Sequence, residues 1–363
     1  MQKKQAARKK NIVFVLISIF VLLVAMLGQL PQMLNSQDAV FYDSTSDNLM
    51  KSDLHYMQQY GVDGPFARSI KVQTELSGHS AFPNAAELAA FLESGQPLPQ
   101  SDYNWYISNL CVQRYFYHTI SVFSPFSPSV NYDLLKGVNV ILFALVLTGV
   151  LLWIKRYAGF ITAYILVFVL ALLSPIFTGF SSNLYWMPYI WFVPMLGSAF
   201  VVWIKKKFAN IKKWYLLAFV VSFVTCLFYQ LHYFEYMSSA MIAMVLPYIA
   251  SAIEDGNKKI VGIVKAVILP SIGACLSFVV AMGGKVALMM MTSYPDKING
   301  VSPLQSILYT IGARTGNDAF ANDMLAPGAE TSLLSILKEM FKAQPINVSN
   351  LLSVSFLMVV LVL

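Results

Sequence analysis

Long apolar runs separated by short polar segments dominate the sequence. Most of these runs are close to the roughly 20 residues that a helix needs to cross about 30 Å of hydrocarbon. They are continuously apolar, whereas the strands of a membrane barrel would alternate apolar and polar residues. The pattern therefore predicts an all-α fold, a polytopic transmembrane helix bundle with about eight spans. We place these spans near 11–29, 134–154, 157–178, 185–204, 215–231, 237–253, 259–283 and 349–363.

The composition agrees with a membrane protein. Of the 363 residues, 57% are hydrophobic and 12% are charged, and the mean hydropathy is +0.61, which lies outside the range of soluble domains. The first run follows the basic stretch "MQKKQAARKK". Its apolar core is longer than that of a signal peptide, and "LGQLPQML" offers no small-x-small cleavage site. We therefore expect residues 1–29 to form a retained anchor with a cytoplasmic N-terminus.

The basic residues predict the orientation. Fifteen of the chain's 25 basic residues lie in four short segments, opposed only by Glu254 and Asp255. These segments are 1–10, 155–156, 205–213 and 258–265. They alternate with the spans so that all four face the cytoplasm, as the positive-inside rule requires, which predicts a multi-pass protein of the plasma membrane. The net charge of +7 then reflects topology and contact with anionic lipids, and it does not require nucleic acid as a partner.

This topology leaves two long segments outside the cell, residues 30–133 and residues 284–348. A bundle of six spans, residues 134–283, separates them. The final run, 349–363, is shorter than a full span, and we interpret it as a truncated last span. Loops on a rigid scaffold usually carry function, so the two outer segments are where chemistry is expected.

Local signals predict helices within the outer segments. Asn84 is a good N-cap, Glu87 stands three residues later as its capping-box partner, and Gly95 ends a helix over 85–94. The next stretch, "SDYNWYISNLCVQRYFYHTISVF" at 101–123, predicts a longer helix capped by its Ser or Asp. Its aromatic load is typical of a helix at headgroup level, although packing of the loop on the bundle explains it equally well.

The second outer segment carries a similar pattern. In "TSLLSILKEMFKAQ", residues 331–344, the apolar residues fall on one helical face and the charged residues fall off it. This pattern predicts an amphipathic helix lying in the membrane interface.

Four aspartates crowd the start of the first outer segment, in "DAVFYDSTSDNLMKSD" at 38–53. A carboxylate can take the proton of an attacking hydroxyl, and paired Asp oxygens suit Mg²⁺ or Mn²⁺. We therefore take Asp43 and Asp47 as candidate catalytic and metal-binding residues, which would share a face if the stretch is helical, although "STS" between them favours a turn. Asp38 and Asp53 are expected bystanders. Four solvated loop charges remain the alternative.

Other candidates lie near the outer ends of the spans. Glu235 in "QLHYFEYMS" is a further catalytic candidate, because acids at membrane depth are costly and tend to be functional. His232 beside it, Arg314 in "GARTGND" and Trp105 are candidate substrate-binding residues, and Arg314 could hold a phosphate through two parallel hydrogen bonds. Solvated surface charge is the alternative for the ionisable residues.

Together, the long outer loop after the first span, the interfacial helices and the acidic "FYDSTSD" resemble the GT-C superfamily of integral-membrane glycosyltransferases. The stretches "SSNLYWMPYIWFVPML" and "FYQLHYFEYMSSAMIAMVLP" resemble the outer span ends of bacterial proteins of this type. The resemblance is one of topology over most of the chain. It implies transfer of a sugar from a polyprenyl-phosphate donor to an extracytoplasmic glycan or protein acceptor, with the acidic motif serving as base or metal site.

Three other functional classes remain open, and one of them is a non-catalytic membrane assembly protein. A polysaccharide polymerase or ligase would also use a long outer loop. A transporter or flippase of lipid-linked or small substrates would share the basic inner segments, but coupled carriers place charges in the middle of their spans and often contain inverted repeats. The predicted spans show essentially no such charge and no convincing repeat, which counts against coupled transport.

Overall fold

The computed structural model is predominantly helical. It describes residues 2–35, 44–70, 82, 84–106, 109–173, 180–208, 214–232, 237–256, 260–291, 346–348 and 352–354. The helices are α1 (Gln2–Asn35), α2 (Ser44–Tyr60), α3 (Ala85–Ser94), α4 (Gln113–Phe123), α5 (Pro128–Leu173), α6 (Val193–Lys207), α7 (Trp214–His232), α8 (Met237–Glu254) and α9 (Ile260–Met291). Short 3₁₀ turns span Gln100–Asp102 and Pro188–Phe192.

The described residues also contain two small antiparallel sheets, so the all-α prediction holds only for the membrane bundle. Strands β1 (Ala67–Ile70) and β2 (Tyr103–Tyr106) form one sheet, and β3 (Ile346–Val348) and β4 (Leu352–Val354) form the other. Strand β4 falls inside the run predicted as the last span. The other residues of that run, and the helix predicted over 331–344, lie outside the described residues.

Five described helices are long and apolar enough to cross a membrane. Their membrane-length segments are Arg8–Gly28, Pro128–Ala171, Pro188–Lys207, Trp214–His232 and Ile260–Met291, and a shorter apolar helix covers Ser239–Glu254. They overlap the predicted spans from the first to the seventh. The predicted count of about eight spans stays a prediction.

Helix α5 contains two of the predicted spans, joined at Gly159. Its φ of 85° and ψ of 173° lie in a region that only glycine adopts readily. Phe143 and Ala171 belong to one apolar cluster with Phe14 of α1. In a straight helix these two residues would be roughly 42 Å apart, at 1.5 Å per residue. The chain therefore folds back at Gly159.

The basic segments meet at one end of the bundle, which we call the basic end. Lys155 donates to the side chain of Asn11 at 2.5 Å. Arg156 reaches Glu254 at 3.3 Å, and Lys205 reaches Asp255 at 2.5 Å. Glu254 and Asp255, which lie just before the last basic segment, thus tie α5, α6 and α8 together there.

The described part of the predicted first outer segment folds as a layer, which we call the cap and define as α2, β1, α3, β2 and α4. Strands β1 and β2 pair with Arg68 opposite Trp105. An apolar cluster with Tyr56, Leu92 and Tyr103 as members fills the layer. A second cluster joins Leu54 of the cap to the bundle, where Tyr229 is a member. The cap therefore has its own core and is continuous with the bundle.

The helix predicted over 85–94 is confirmed. The side chain of Asn84 accepts the backbone N–H groups of Ala86 and Glu87 at 3.0 Å, and Gly95 ends the helix in the left-handed conformation. The longer helix predicted over 101–123 is wrong in its first half. Residues 103–106 form β2, because they pair with residues 67–70 far away in sequence, and only Gln113–Phe123 is helical.

Helices α7 and α9 approach each other closely at Gly273. A Cβ atom at this position would lie 2.6 Å from the backbone oxygen of Phe219. No side-chain rotation can relieve this contact, because the oxygen belongs to the backbone. We expect Gly273→Ala to destabilise the protein by roughly 1–3 kcal/mol through overpacking. The measurement is the thermal unfolding midpoint of the purified protein in detergent.

Gly283→Ala is the matched control. Gly283 lies on the same helix, and a Cβ atom there would meet nothing within 4 Å, so its replacement should leave the midpoint unchanged or raise it, since alanine favours the helix by roughly 0.5–1 kcal/mol. Equal midpoints for the two variants would contradict the close approach of α7 and α9.

Candidate functional site

The candidate site is the junction between the cap and the end of the bundle opposite the basic end. Asp47, in the first turn of α2, is 2% exposed. One of its carboxylate oxygens accepts the backbone N–H of Leu184 at 3.0 Å, and the other lies 3.3 Å from the ammonium of Lys136 at the start of α5. Asp47 therefore attaches the start of α2 to two separate segments of the bundle.

Lys51, one turn further along α2, adds a second cation beside Asp47. Its ammonium lies 3.9 Å from the Asp47 carboxylate and donates to Glu93 of α3 at 2.6 Å. It also lies 5.4 Å from the ring centre of Tyr132, whose hydroxyl donates to the backbone oxygen of Lys51 at 3.3 Å. Buried charges are stable only when paired, and this arrangement pairs both lysines with carboxylates.

Asp53, two turns along α2, forms the most deeply buried ion pair. Its carboxylate lies 2.8 Å from Nε of Arg114 on α4, and both side chains are fully buried. It also accepts the backbone N–H of Arg68 at 2.7 Å. Burial raises the pKa of Asp53 to about 6, while the guanidinium of Arg114 and the N–H of Arg68 oppose that rise. The contact with the guanidinium favours the charged form of the carboxylate, which compensates Arg114.

Arg114 in turn holds the loop that precedes β1. Its guanidinium donates to the backbone oxygen of Gly64 at 3.1 Å and also to that of Phe66. Arg68 lies over the ring of Trp105, 3.3 Å from its centre, and pairs with Asp63. We call the four pairs Asp47–Lys136, Lys51–Glu93, Asp53–Arg114 and Arg68–Asp63 the charged seam.

Neutral hydrogen bonds extend the junction into the bundle. The hydroxyl of Tyr117 on α4 donates to Asn139 of α5 at 2.9 Å and also approaches the backbone oxygen of Leu184 at 3.1 Å. The backbone N–H of Val112 donates to the carbonyl of Leu231 at the end of α7. The cap is consequently attached to α5, to the segment before α6, and to α7.

The predicted site residues fall into two groups. Asp43, Glu235 and Arg314, like Asp38, lie outside the described residues. Asp47, His232 and Trp105 are described. Of these three residues, only Asp47 belongs to the charged seam. The stretch from Ser44 onward is helical, so the turn favoured by "STS" is not observed there.

His232 and Trp105 are engaged within the protein. His232 is buried, and its Nδ1 donates to the carbonyl of Phe228, one turn earlier in α7, at 2.7 Å. Trp105 lies on β2 and stacks on Arg68, so it does not belong to a headgroup-level helix. These contacts lie within α7 and within the cap, and substrate binding by either residue stays a prediction.

Sequence reasoning missed the role of Asp53. It was expected to be a bystander in a solvated loop, but it is fully buried and paired. One signal was available: Asp47, Lys51 and Asp53 recur within a segment that also places Met50, Leu54 and Met57 at helical spacing. The partners Arg114 and Lys136 lie about 60 and 90 residues further along, so no local pattern identifies them.

The surroundings of Asp47 do not fit a divalent cation. Its carboxylate already faces the ammonium of Lys136 and accepts the N–H of Leu184, and Lys51 lies close by. A divalent cation would have to displace these groups. No group of three or more metal-binding side chains occurs among the residues that were described. Asp47 is therefore better suited to positioning α2 than to coordinating Mg²⁺ or Mn²⁺.

The fold and the junction define the class: a helical integral-membrane protein whose first long segment folds as a cap over one end of the bundle. No family model matches the chain, and neither a curated protein nor a solved structure shows significant similarity to it. Function is therefore argued from the cap and its junction with the bundle.

Proposed function

We propose that the chain is a membrane glycosyltransferase that takes a sugar from a polyprenyl-phosphate donor and acts on the extracytoplasmic side. One observation carries the proposal. Asp47 attaches the start of α2 to the bundle through Lys136 and the backbone N–H of Leu184, and Asp43 directly precedes α2 in the sequence. A carboxylate held by such a rigid element can accept the proton of an acceptor hydroxyl.

In this proposal the roles of the two aspartates differ. Asp43 is the general base, and Asp47 is a positioning residue that holds the first turn of α2 through Lys136 and Leu184. Glu235 follows His232 by three residues in the sequence, and α7 reaches the cap through Leu231. Glu235 is thus the second candidate acid. Arg314 remains the candidate partner of the donor phosphate.

The surface of α4 supports contact between the cap and the bilayer. Phe116, Val122 and Phe123 are exposed, and Phe123 is 84% exposed. Arg114 and Tyr117 are buried on the other side of the same helix. A helix with one exposed apolar side and one buried side lies at headgroup level, with the apolar side in lipid. A lipid-linked donor would enter at this level. The helix starts at Gln113, later than the sequence predicted.

Orientation gives the first test. Reporters fused after Arg156, or after Lys213 or Lys259 in the other basic segments, should behave as cytoplasmic, because basic residues near short loops are retained inside. A reporter inserted after Gly95, at the exposed end of α3, should behave as extracytoplasmic. Activity of a cytoplasmic reporter at that position would contradict the orientation of the cap and with it the whole proposal.

Loss of the protein gives the second test. Deleting the coding sequence in the parent organism should remove a sugar from a surface glycan or glycoprotein, and the polyprenyl-phosphate sugar should accumulate because its transfer step is absent. The two readouts are glycan composition and mass spectrometry of extracted lipid-linked sugars. Unchanged levels of both would refute the proposal. Accumulation of an intact lipid-linked oligosaccharide, with shortened polymers at the surface, would indicate a polymerase or ligase instead.

A further inference from the structure

A cavity of about 170 Å³ lies at the basic end, between the ends of α6, α7, α8 and α9. At about 30 Å³ per water molecule in the liquid, it has room for roughly six waters. That space suits a phosphate and part of a glycerol headgroup, but not acyl chains. The lining residues that matter here are Lys205, Trp214, Tyr248, Ser251, Asp255 and Lys265.

The charges of the lining favour an anion. Lys205 pairs with Asp255 at 2.5 Å and lies 4.4 Å from the ring centre of Trp214, so this pair is close to neutral. Lys265 also lines the cavity and makes no ion pair with any residue in the described part of the chain. The lining therefore carries one ammonium in excess, which matches the single negative charge of a phosphodiester.

A buried hydroxyl points to the same ligand. Ser251 lines the cavity and is 3% exposed. Its hydroxyl has no hydrogen-bond partner among the described residues, and leaving a buried polar group unpaired is unfavourable. A ligand oxygen beside Ser251 would accept this hydrogen bond while its charge is balanced by Lys265.

The surface around the cavity indicates that the ligand carries apolar chains. Ile253, two residues before Asp255, is exposed, and so are Ile260, Val261 and Val264, which precede Lys265 on α9. These residues lie on or beside helices of the membrane bundle. Basic pockets between membrane helices on the cytoplasmic side bind anionic headgroups. We propose that this cavity binds the phosphate of an anionic phospholipid from the leaflet at the basic end, with acyl chains along α8 and α9.

The test uses the full-length protein, delipidated in detergent and titrated with phosphatidylglycerol or phosphatidylcholine. Phosphatidylglycerol should raise the thermal unfolding midpoint saturably and remain bound in native mass spectrometry, because ligands that bind only the folded state stabilise it. Phosphatidylcholine, with no net charge, should do so much less. Lys265→Gln and Ser251→Ala should each weaken apparent phosphatidylglycerol affinity by roughly tenfold.

Lys207→Gln is the matched control. Lys207 lies at the same end of α6 but sits over Trp203 at 4.6 Å, away from the cavity lining. This variant should bind phosphatidylglycerol as the unmodified protein does. Equal weakening in Lys207→Gln and Lys265→Gln would reduce the effect to general surface attraction and overturn the proposal. Unchanged affinity in Lys265→Gln and Ser251→Ala would also overturn it.

A third titration separates a lipid headgroup from free phosphate. Inorganic phosphate at millimolar concentration should produce no saturable shift, because it lacks the chains that lie along Ile260 and Val264. An equal shift from inorganic phosphate would show that the cavity binds the free ion and would overturn the lipid assignment. None of these measurements depends on glycosyl transfer, so the outcome is independent of the function proposed above.

Discussion

Asp43→Asn should leave the protein folded and lower sugar transfer by roughly 10²–10⁴-fold, the usual effect of removing a positioned acid or base. The substitution keeps the shape of the side chain and removes its ability to accept a proton. The measurement is restoration of the surface glycan by the variant in the deletion strain, normalised to the amount of protein in the membrane. Asp133→Asn, at an exposed position of α5, is the matched control and should restore the glycan fully.

Asp47→Asn separates positioning from catalysis. The amide can still accept the N–H of Leu184, but it leaves the buried ammonium of Lys136 without this carboxylate. We therefore expect a lower thermal unfolding midpoint together with lower transfer, whereas Asp43→Asn should change transfer alone. Full restoration of the glycan by the variant that carries both substitutions would remove the aspartates from the mechanism and leave Glu235 as the candidate acid.

Asp53→Asn should have the largest effect on stability. It removes the carboxylate that compensates Arg114, and both side chains are fully buried. Breaking a buried ion pair from one side costs roughly 3–5 kcal/mol, because the remaining charge stays in a medium that solvates it poorly. The thermal unfolding midpoint in detergent should fall clearly, while the exposed substitution Asp133→Asn should leave it unchanged.

A double-mutant cycle tests whether that loss comes from the pair itself. Arg114→Met removes the uncompensated charge, so its cost in the Asp53→Asn background should be smaller than its cost in the unmodified protein. Strict additivity of the two substitutions would show that Asp53 and Arg114 do not interact. Because the expected loss is one of folding, Asp53→Asn cannot serve as a control for the activity of Asp43→Asn.

Local sequence signals predicted the features that depend on residues close together in the sequence. The spans follow from their length and hydropathy, and α3 follows from Asn84 and Gly95, whose capping contacts lie within a few residues of the helix. The basic end follows from the positions of Lys and Arg along the chain. In each case the residues that decide the structure lie close together in the sequence.

Features that depend on distant partners were not predictable in this way. Residues 103–106 were predicted to be helical because their aromatic side chains suit an interfacial helix. Pairing with β1 outweighs that preference. Asp53 was predicted to be a solvated loop residue, because its partner Arg114 is distant in the sequence. The candidate site has the same limit: aspartates at 43 and 47 are visible in the sequence, whereas the lysines that pair with Asp47 become evident only in three dimensions.

The attachment of the cap to three separate parts of the bundle has a consequence for the order of events during synthesis. Asp47 and Asp53 leave the ribosome before Arg114, Lys136 and Leu184, and Leu231 follows much later. Until those partners arrive, the carboxylates of α2 must remain hydrated, and the cap cannot adopt its final packing. A nascent chain stopped before Leu184 should therefore expose α2 to protease, and one that extends beyond Leu231 should protect it.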